Sequence, residues 1–219
     1  MKQNLQITLT GLVQGVGMRP WIVRRACALK LAGAVHNAAG GVTIEVEGEA
    51  DNIAQFLSAL QQDPPTGACI DSICSQSGTL QGHTGFQIRP SIVEGQHTAF
   101  VPKDRAPCAE CLRELRDPHN RRYRHPFISC VACGPRFSIV KSMPFDRNTT
   151  SMSDFAPCEE CRNEYDNPFE RRHHAQTISC LNCGPVLDYQ DSDHSIKGNA
   201  QALDAAIECL QQGGILALK

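Results

Sequence analysis

The chain has 219 residues, and its 21 lysines and arginines nearly balance its 23 acidic residues, which leaves a formal net charge of −2 at pH 7. This length suits one or two domains, and the slightly negative charge is poorly suited to the broad basic surface that nucleic-acid-binding proteins use. No apolar run approaches the ~20 residues of a membrane helix, and residues 1–8 lack the apolar core of a secretory signal. We therefore expect a cytoplasmic protein without membrane contact.

The first 90 residues alternate between the periodicities of strands and of amphipathic helices. In chain order they predict a strand at 5–9, a glycine-rich loop at 11–19, a helix that begins at Pro20 and is capped by Gly33, strands at 34–37 and 42–46, a helix at 53–60, and strands at 70–74 and 86–89. The order βαββαβ is the ferredoxin-like pattern. We predict an α+β domain over residues 1–91, with an antiparallel sheet and both helices on one face.

The glycine-rich loop is the chemical feature of this domain. Its glycines allow backbone N–H groups to turn toward one point, where the positive end of the following helix dipole also lies. Arg19 adds a guanidinium that can bind two phosphate oxygens at once. The candidate phosphate-binding residues are Gln14, Gly15, Val16, Gly17, Met18 and Arg19. A plain glycine turn with a surface arginine is the alternative, and the loop by itself does not decide between them.

Asn37 ends the strand that follows Gly33 and can lie beside the loop. A carboxamide offers both a donor and an acceptor, so it can hold a water in line with a bound phosphorus atom. No strong base is needed when the leaving group is as good as the carboxylate or carbamate of an acyl phosphate. Taken in isolation, Asn37 is better explained as a turn residue.

These residues together resemble a known family. Gly11-x-Val13-Gln14-Gly15-Val16-Gly17-x-Arg19, followed by Gly33-x-Val35-x-Asn37 and Gly41, is similar to the acylphosphatase family over about residues 4–90. The resemblance implies that Arg19 binds the phosphate of an acyl phosphate and that Asn37 positions the attacking water. Arg19 and Asn37 are therefore the predicted catalytic residues.

The second feature is a duplicated array of cysteines. Four Cys-x-x-Cys pairs form two repeats at an offset of 50 residues, and 18 residues separate the pairs within each repeat. The predicted ligands are Cys108, Cys111, Cys130 and Cys133, and Cys158, Cys161, Cys180 and Cys183. Four thiolates close the tetrahedral shell of a structural zinc ion. We prefer two zinc ions to disulfides or redox pairs.

The self-similarity of the two halves favours pairing of the cysteines within each repeat, giving fingers at 108–133 and 158–183. A nested pairing, in which the first Cys-x-x-Cys joins the fourth and the second joins the third, stays open. Four histidines in the loops are expected near the ligands or at the surface rather than on the metal. They are His119, His125, His173 and His174.

With both features joined, nearly the whole chain resembles the HypF family of hydrogenase maturation carbamoyltransferases. The resemblance is carried by Cys130-Val131-Ala132-Cys133-Gly134-Pro135-Arg136 and Arg171-Arg172-His173-His174-Ala175-Gln176. It implies that the first domain hydrolyses carbamoyl phosphate to carbamate. It further implies that downstream domains absent from this sequence adenylate the carbamate with ATP and pass it to a cysteine of the partner HypE, on the way to a cyanide ligand of the hydrogenase iron.

The remainder of the chain completes the predicted organisation into residues 1–91, a zinc-binding domain at 92–190 and a tail at 191–219. Leu203, Ile207 and Leu210 share one helical face, and residues 215–219 predict an apolar strand. By resemblance the tail is the truncated start of a YrdC-like domain.

A binding module without catalysis is the competing function, because paired Cys-x-x-Cys motifs also occur in DnaJ-type chaperones and in zinc ribbons that bind nucleic acid. Arg121, Arg122 and Arg124 are the basic residues that would serve it. Acidic residues interrupt this cluster, which makes it poorly suited to contact a phosphate backbone.

Overall fold

The computed structural model of the protein describes residues 1–92 and 103–218. The helices and strands in these ranges are β1 (Lys2–Leu12), α1 (Met18–Ala28), β2 (Ala32–Ala38), β3 (Gly41–Glu49), α2 (Ala50–Gln62), β4 (Cys69–Gly78), β5 (Phe86–Ile88), α3 (Ala109–Arg116), α4 (Glu159–Asp166), β6 (Asp188–Gln190), β7 (Ser195–Lys197) and α5 (Asn199–Gln211). The predicted α+β class, with a ferredoxin-like domain followed by a duplicated finger module, is confirmed.

The first domain is built on a sheet with the strand order β4-β1-β3-β2-β5. β1 pairs antiparallel with both β3 and β4, which places Ile7 opposite Ile44. Together with Ile22 of α1 and Phe56 of α2, these side chains belong to one buried apolar cluster. Because alternate residues of a strand point to opposite faces, this single cluster means that both helices cover the same face of the sheet.

The sheet is not antiparallel throughout, so this part of the prediction is wrong. β5 pairs with β2 in parallel, because the chain leaves β4 at one edge of the sheet and crosses to the other edge before pairing. The buried carboxylate of Glu47 holds that crossing by accepting the backbone N–H groups of residues 81–83. Burial opposes ionisation of Glu47, but these bonds and one from Asn4 outweigh it and hold its pKa at about 2.

The first helix begins and ends earlier than the sequence predicts. It starts at Met18, two residues before Pro20, and it ends before Lys30, whose φ of 54° makes it the left-handed residue after the helix. Gly33 therefore does not cap the helix. It lies in β2, where a β-carbon would come within 2.0 Å of the carbonyl oxygen of Glu45. The close approach of two strands, rather than a helix end, requires glycine there.

The finger module comprises the fingers at 108–133 and 158–183 and the linker between them. Its two fingers are equivalent units, in which α3 follows Cys108 and α4 follows Cys158. A hairpin of β6 and β7, which the sequence pattern did not indicate, comes after the second unit and contacts α5. Residues 214–218 form no strand, contrary to the prediction, and Lys219 lies outside the described residues. In the described ranges no helix is long and apolar enough to cross a membrane.

Candidate functional site

The loop between β1 and α1 presents unpaired backbone donors. Gly15 and Gly17 have φ angles of 67° and 79°, left-handed values that glycine adopts without strain. Among the described residues, the N–H groups of residues 15–19 have no backbone acceptor, and no side chain caps α1. Free N–H groups at the positive end of a helix form an arrangement that binds anions.

Arg19 and Asn37 lie together beside this loop. Nη2 of Arg19 is 3.1 Å and Nδ2 of Asn37 is 3.4 Å from the same atom, the carbonyl oxygen of Phe145. Both side chains are buried, since Arg19 exposes 8% and Asn37 exposes 1% of its surface. The carboxylate of Asp146 lies 2.7 Å from Nη2 of Arg19. The structure thus brings the two predicted catalytic residues together and adds two partners from the finger module.

The side-chain oxygen of Asn37 is buried and has no partner among the described residues. The carbonyl of Phe145 can only accept hydrogen bonds, so the end of the amide that faces it is Nδ2 and the other end is Oδ1. A buried acceptor without a donor is costly unless a ligand or a water supplies one. Oδ1 of Asn37 is therefore available to accept a hydrogen from a water bound in the site.

The side chain of Gln14 supports the loop. Its amide nitrogen donates to two carbonyl oxygens of the β2–β3 turn, at 2.7 and 2.8 Å, and its oxygen accepts the backbone N–H of Phe145 at 3.2 Å. Its side-chain polar atoms are thus engaged, and the side chains of Val16 and Met18 are buried in the apolar core. At these three positions the main chain is the part that remains available to a phosphate.

Both fingers and the linker between them supply the opposite wall of the cleft, to which the first finger contributes Cys130 and Val131. Phe145 and residues 174–177 line the same space as the glycine loop and Arg19. Burial lowers the pKa of His174 to about 3, and the neighbouring His173 and Arg19 act in the same direction. His174 is therefore a neutral imidazole at pH 7, and it adds no charge to the wall that faces Arg19.

Two groups of four cysteines form the candidate metal centres. One contains Cys108, Cys111, Cys130 and Cys133, and the other contains Cys158, Cys161, Cys180 and Cys183. Neighbouring sulfur atoms are 3.6–3.8 Å apart in the first group and 3.7 Å apart in the second. Sulfurs placed ~2.3 Å from a tetrahedral zinc ion are about 3.8 Å from one another, so the donor set fits zinc. Pairing within each repeat is confirmed, and the nested pairing is wrong.

Arginines from each finger reach the thiols of the other. Nη2 of Arg121 lies 3.5 Å from the sulfur of Cys161, and Nη2 of Arg171 lies 3.2 Å from the sulfur of Cys111. The two arginines occupy matching positions of the repeat, so the contacts are reciprocal. A guanidinium beside thiolate ligands offsets the negative charge that four cysteines bring to a divalent metal.

Two carboxylates join the fingers in the same reciprocal manner. Glu114 accepts from Arg171, at 3.0 Å, and from Arg172. Its counterpart Glu164 accepts from Arg121 and Arg122 at 2.7 and 2.9 Å. Burial opposes ionisation of Glu114, but the hydrogen bonds from its two arginines outweigh burial and hold its pKa at about 2.

The structure places the four loop histidines outside both cysteine groups. His119 is exposed, whereas His125 and His173 are buried, so the surface alternative does not apply to those two. Nε2 of His125 lies 2.9 Å from the hydroxyl of Ser179, which belongs to the other finger. These histidines therefore pack within the finger module, and burial lowers the pKa of both His125 and His173 to about 4.

Sequence reasoning missed the contribution of the linker between the fingers to the loop site. Phe145 and Asp146 belong to neither repeat and to no motif that the spacing of cysteines or glycines reveals. The one available signal was an acidic residue close to Pro144, in a stretch that the finger repeat does not explain. That signal does not indicate Arg19 as its partner.

Comparison with protein families divides the chain as the fold does. Residues 5–88 match the family model described as Acylphosphatase. Residues 108–140 and 158–189 each match the model described as HypF finger. Both predicted resemblances are therefore confirmed, and they cover the glycine loop, Asn37 and all eight cysteines.

Individual relatives agree with this division. The Carbamoyltransferase HypF of Synechocystis sp. is 38% identical over 155 residues, which are 71% of this chain and 20% of that protein. An acylphosphatase of Synechococcus sp. is 38% identical over 94 residues, which are 42% of this chain and 80% of that protein. A crystal structure of full-length HypF in a phosphate- and nucleotide-bound form matches with a TM-score of 0.88 at 38% identity, over 97% of this chain and 28% of that one. The chain thus spans about a fifth of the length of the curated HypF relative.

Proposed function

We propose the function of this chain on the basis of its family. The chain belongs to the acylphosphatase family through residues 5–88. With its two HypF fingers it also matches the N-terminal part of the HypF carbamoyltransferases. The proposed activity is hydrolysis of an acyl phosphate at the glycine loop. One observation carries it: Arg19 and Asn37 lie side by side, both in contact with the carbonyl oxygen of Phe145, next to backbone N–H groups that have no backbone acceptor among the described residues.

Each group has a distinct part in the reaction. The N–H groups of residues 15–19 and the guanidinium of Arg19 hold the phosphate and offset its charge as the transition state forms. Oδ1 of Asn37 accepts a hydrogen from the attacking water and aligns it with phosphorus. The water oxygen bonds to phosphorus, the bond from phosphorus to the acyl oxygen breaks, and the water proton ends on the product phosphate. The carboxylate leaves without help from a protein acid.

We propose carbamoyl phosphate as the substrate, with carbamate and phosphate as products. The support is that the relatives which contain both the first domain and the fingers are named carbamoyltransferases. In such a protein the carbamate would be activated with ATP and transferred to a HypE-type acceptor for hydrogenase maturation, and this chain would supply the first step.

We further propose that each cysteine group binds one zinc ion with a structural role. The sulfur spacing matches a tetrahedral shell, and four cysteines leave no open position for a substrate. Metal analysis of the purified chain should find two zinc ions per molecule. One ion or none would contradict the assignment.

The competing binding module finds less support. A nucleic-acid-binding surface needs cations that are free to meet phosphates. Arg121, Arg122, Arg171 and Arg172 instead form ion pairs with Glu114 and Glu164 inside the finger module. We therefore propose that the chain does not bind nucleic acid and that the fingers hold the catalytic domain in a defined position.

The substrate class provides the test. The chain should release phosphate from carbamoyl phosphate and acetyl phosphate, but not from p-nitrophenyl phosphate, whose leaving group is poorer. Replacing Asn37 with alanine should lower kcat by about a hundredfold and change KM much less, because its partner is the attacking water. Equal hydrolysis of the monoester, or an unchanged kcat in the Asn37→Ala protein, would contradict the proposal.

A further inference from the structure

We propose that the linker between the two fingers completes the acyl phosphate site, with Phe145 and Asp146 as positioning residues for Arg19 and Asn37. The inference rests on the proposed function and deepens it, because it assigns to the finger module a part in the reaction besides metal binding. Neither residue is placed to touch the reacting atoms. Each acts through a side chain of the first domain.

Asp146 holds the guanidinium of Arg19 at its Nη2 atom. Its Oδ1 lies 2.7 Å from Nη2 of Arg19, and the two side chains expose only 21% and 10% of their surfaces. Its other oxygen accepts the hydroxyl of Ser91. A buried arginine with an ionised partner has one preferred orientation, whereas a free one samples many rotamers that bind phosphate poorly.

The remaining donors of Arg19 stay available. Nη2 uses its two hydrogens on Asp146 and on the carbonyl of Phe145. Nη1 has only a long contact of 3.5 Å to Ser91, and Nε has no partner within the described residues. The guanidinium is therefore held at Nη2, and Nη1 and Nε each keep a hydrogen that an oxygen of a bound oxyanion can accept.

Phe145 orients the other catalytic side chain. Its carbonyl oxygen lies 3.4 Å from Nδ2 of Asn37, which turns Oδ1 of the same amide into the site as a buried acceptor without a partner. A flipped amide would set two acceptors against each other and would be disfavoured. The carbonyl of Phe145 thus decides which end of Asn37 meets the attacking water.

The linker is itself held from both sides. Gln14 of the first domain accepts the N–H of Phe145 at 3.2 Å. On the other side, the backbone N–H of Arg147 donates to the side chain of Gln176 at 2.9 Å, and its guanidinium donates to the carbonyl oxygens of Gln176 and Ile178 at 2.8 and 2.9 Å. The position of Asp146 is therefore set by the second finger, and the finger fold is coupled to the orientation of Arg19.

The test compares three variants of the full chain in carbamoyl phosphate hydrolysis. Asp146→Ala removes the partner of Arg19, and Asp146→Asn keeps an oxygen that can accept from Nη2 without the charge. Asp154→Ala is the matched control, because Asp154 lies in the same linker, is exposed, and contacts only the neighbouring hydroxyl of Ser153 and, at 3.8 Å, Lys141 among the described residues. Thermal melts of each variant establish that it is folded.

We expect kcat to fall about tenfold in Asp146→Ala, at most threefold in Asp146→Asn and not at all in Asp154→Ala, since misplacing a binding group slows the chemical step. An active wild-type chain with an unchanged kcat in Asp146→Ala would overturn this inference alone. So would a lowered KM with an undiminished kcat, because Asp146 would then compete with the substrate for Arg19. A wild-type chain inactive on acyl phosphates would overturn the proposed function and this inference with it.

Discussion

The two halves of this molecule are stabilised by different physical means. The first domain has one apolar cluster of 16 buried residues contributed by the sheet and both helices. The corresponding cluster of each finger has only four buried residues, and cysteines make up half or more of them. Burial of apolar surface can support the first fold by itself, whereas the fingers have ion pairs between the repeats and, as we propose, metal–sulfur bonds. Removal of a bound metal should therefore destabilise the fingers and not the first domain.

Removing zinc should have the largest effect. Structural zinc contributes on the order of 10 kcal/mol to folding, so a strong chelator should unfold residues 103–190 while the first domain keeps its structure. Hydrogen exchange measured by mass spectrometry should lose protection in the fingers alone. The fluorescence of Trp21, the one tryptophan of the chain and part of α1, should stay native.

A cooperative loss of protection in both halves would contradict independent folding, because it would mean that the first domain needs the fingers in order to fold. Hydrolysis of acyl phosphate by the chelated protein provides a second measurement. If the linker positions Arg19, activity should fall although the first domain remains folded.

The ion pairs between the repeats should give the next largest effect. Replacing Glu114 with alanine leaves the buried guanidinium of Arg172 with Glu164 as its only carboxylate partner, at the longer distance of 3.6 Å. Breaking a buried pair costs about 3 kcal/mol. The matched control is Glu110→Ala, because Glu110 is exposed and pairs only with its helix neighbour Arg113, a contact that contributes less than about 1 kcal/mol. Chemical denaturation of the zinc-bound chain measures both, and equal losses would contradict the account.

Local residue patterns predict only some parts of this structure. Leu5, Ile7 and Leu9 identify a strand because their alternation reflects the two faces of a sheet. The repeat of the Cys-x-x-Cys pairs favours pairing of the eight cysteines within each half, and the structure decides against the nested alternative. Arg19 and Asn37, the proposed catalytic pair, could be singled out because both lie in motifs of a family.

The parts that were not predictable depend on contacts between distant segments. The parallel pairing of β5 follows from the path of residues 79–85 across the end of the sheet, which the alternation of Phe86 and Ile88 does not encode. Gly33 reads as a helix cap in the sequence, although it is required by the backbone of Glu45. The contact of Asp146 with Arg19 joins two domains, and no spacing rule connects them.

The pH dependence of unfolding should show a smaller effect, in the first domain. The pKa of Glu47 in the folded chain is about 2, below its ordinary value of 4.5. The ionised carboxylate therefore stabilises the fold above about pH 4.5, and that contribution is lost as the pH falls from 4.5 toward 2. Glu47→Gln should remove part of the pH dependence of unfolding, followed by Trp21 fluorescence, over this interval. The substitution Asp71→Asn, at an exposed carboxylate, is the control and should keep the wild-type slope.

The most direct test of the proposed active site is the phosphate released from carbamoyl phosphate by the chain and by its Arg19→Ala variant. A charged hydrogen bond to phosphate that strengthens in the transition state contributes several kcal/mol, so we expect Arg19→Ala to lower kcat/KM by about a thousandfold or more. Arg25→Ala is the control, because Arg25 lies six residues further along the same helix and pairs with Asp63 at 2.6 Å. Activity that is lost in Arg19→Ala and retained in Arg25→Ala is the predicted result. An Arg19→Ala protein that hydrolyses carbamoyl phosphate at the wild-type rate would contradict the assignment of the glycine loop as the active site.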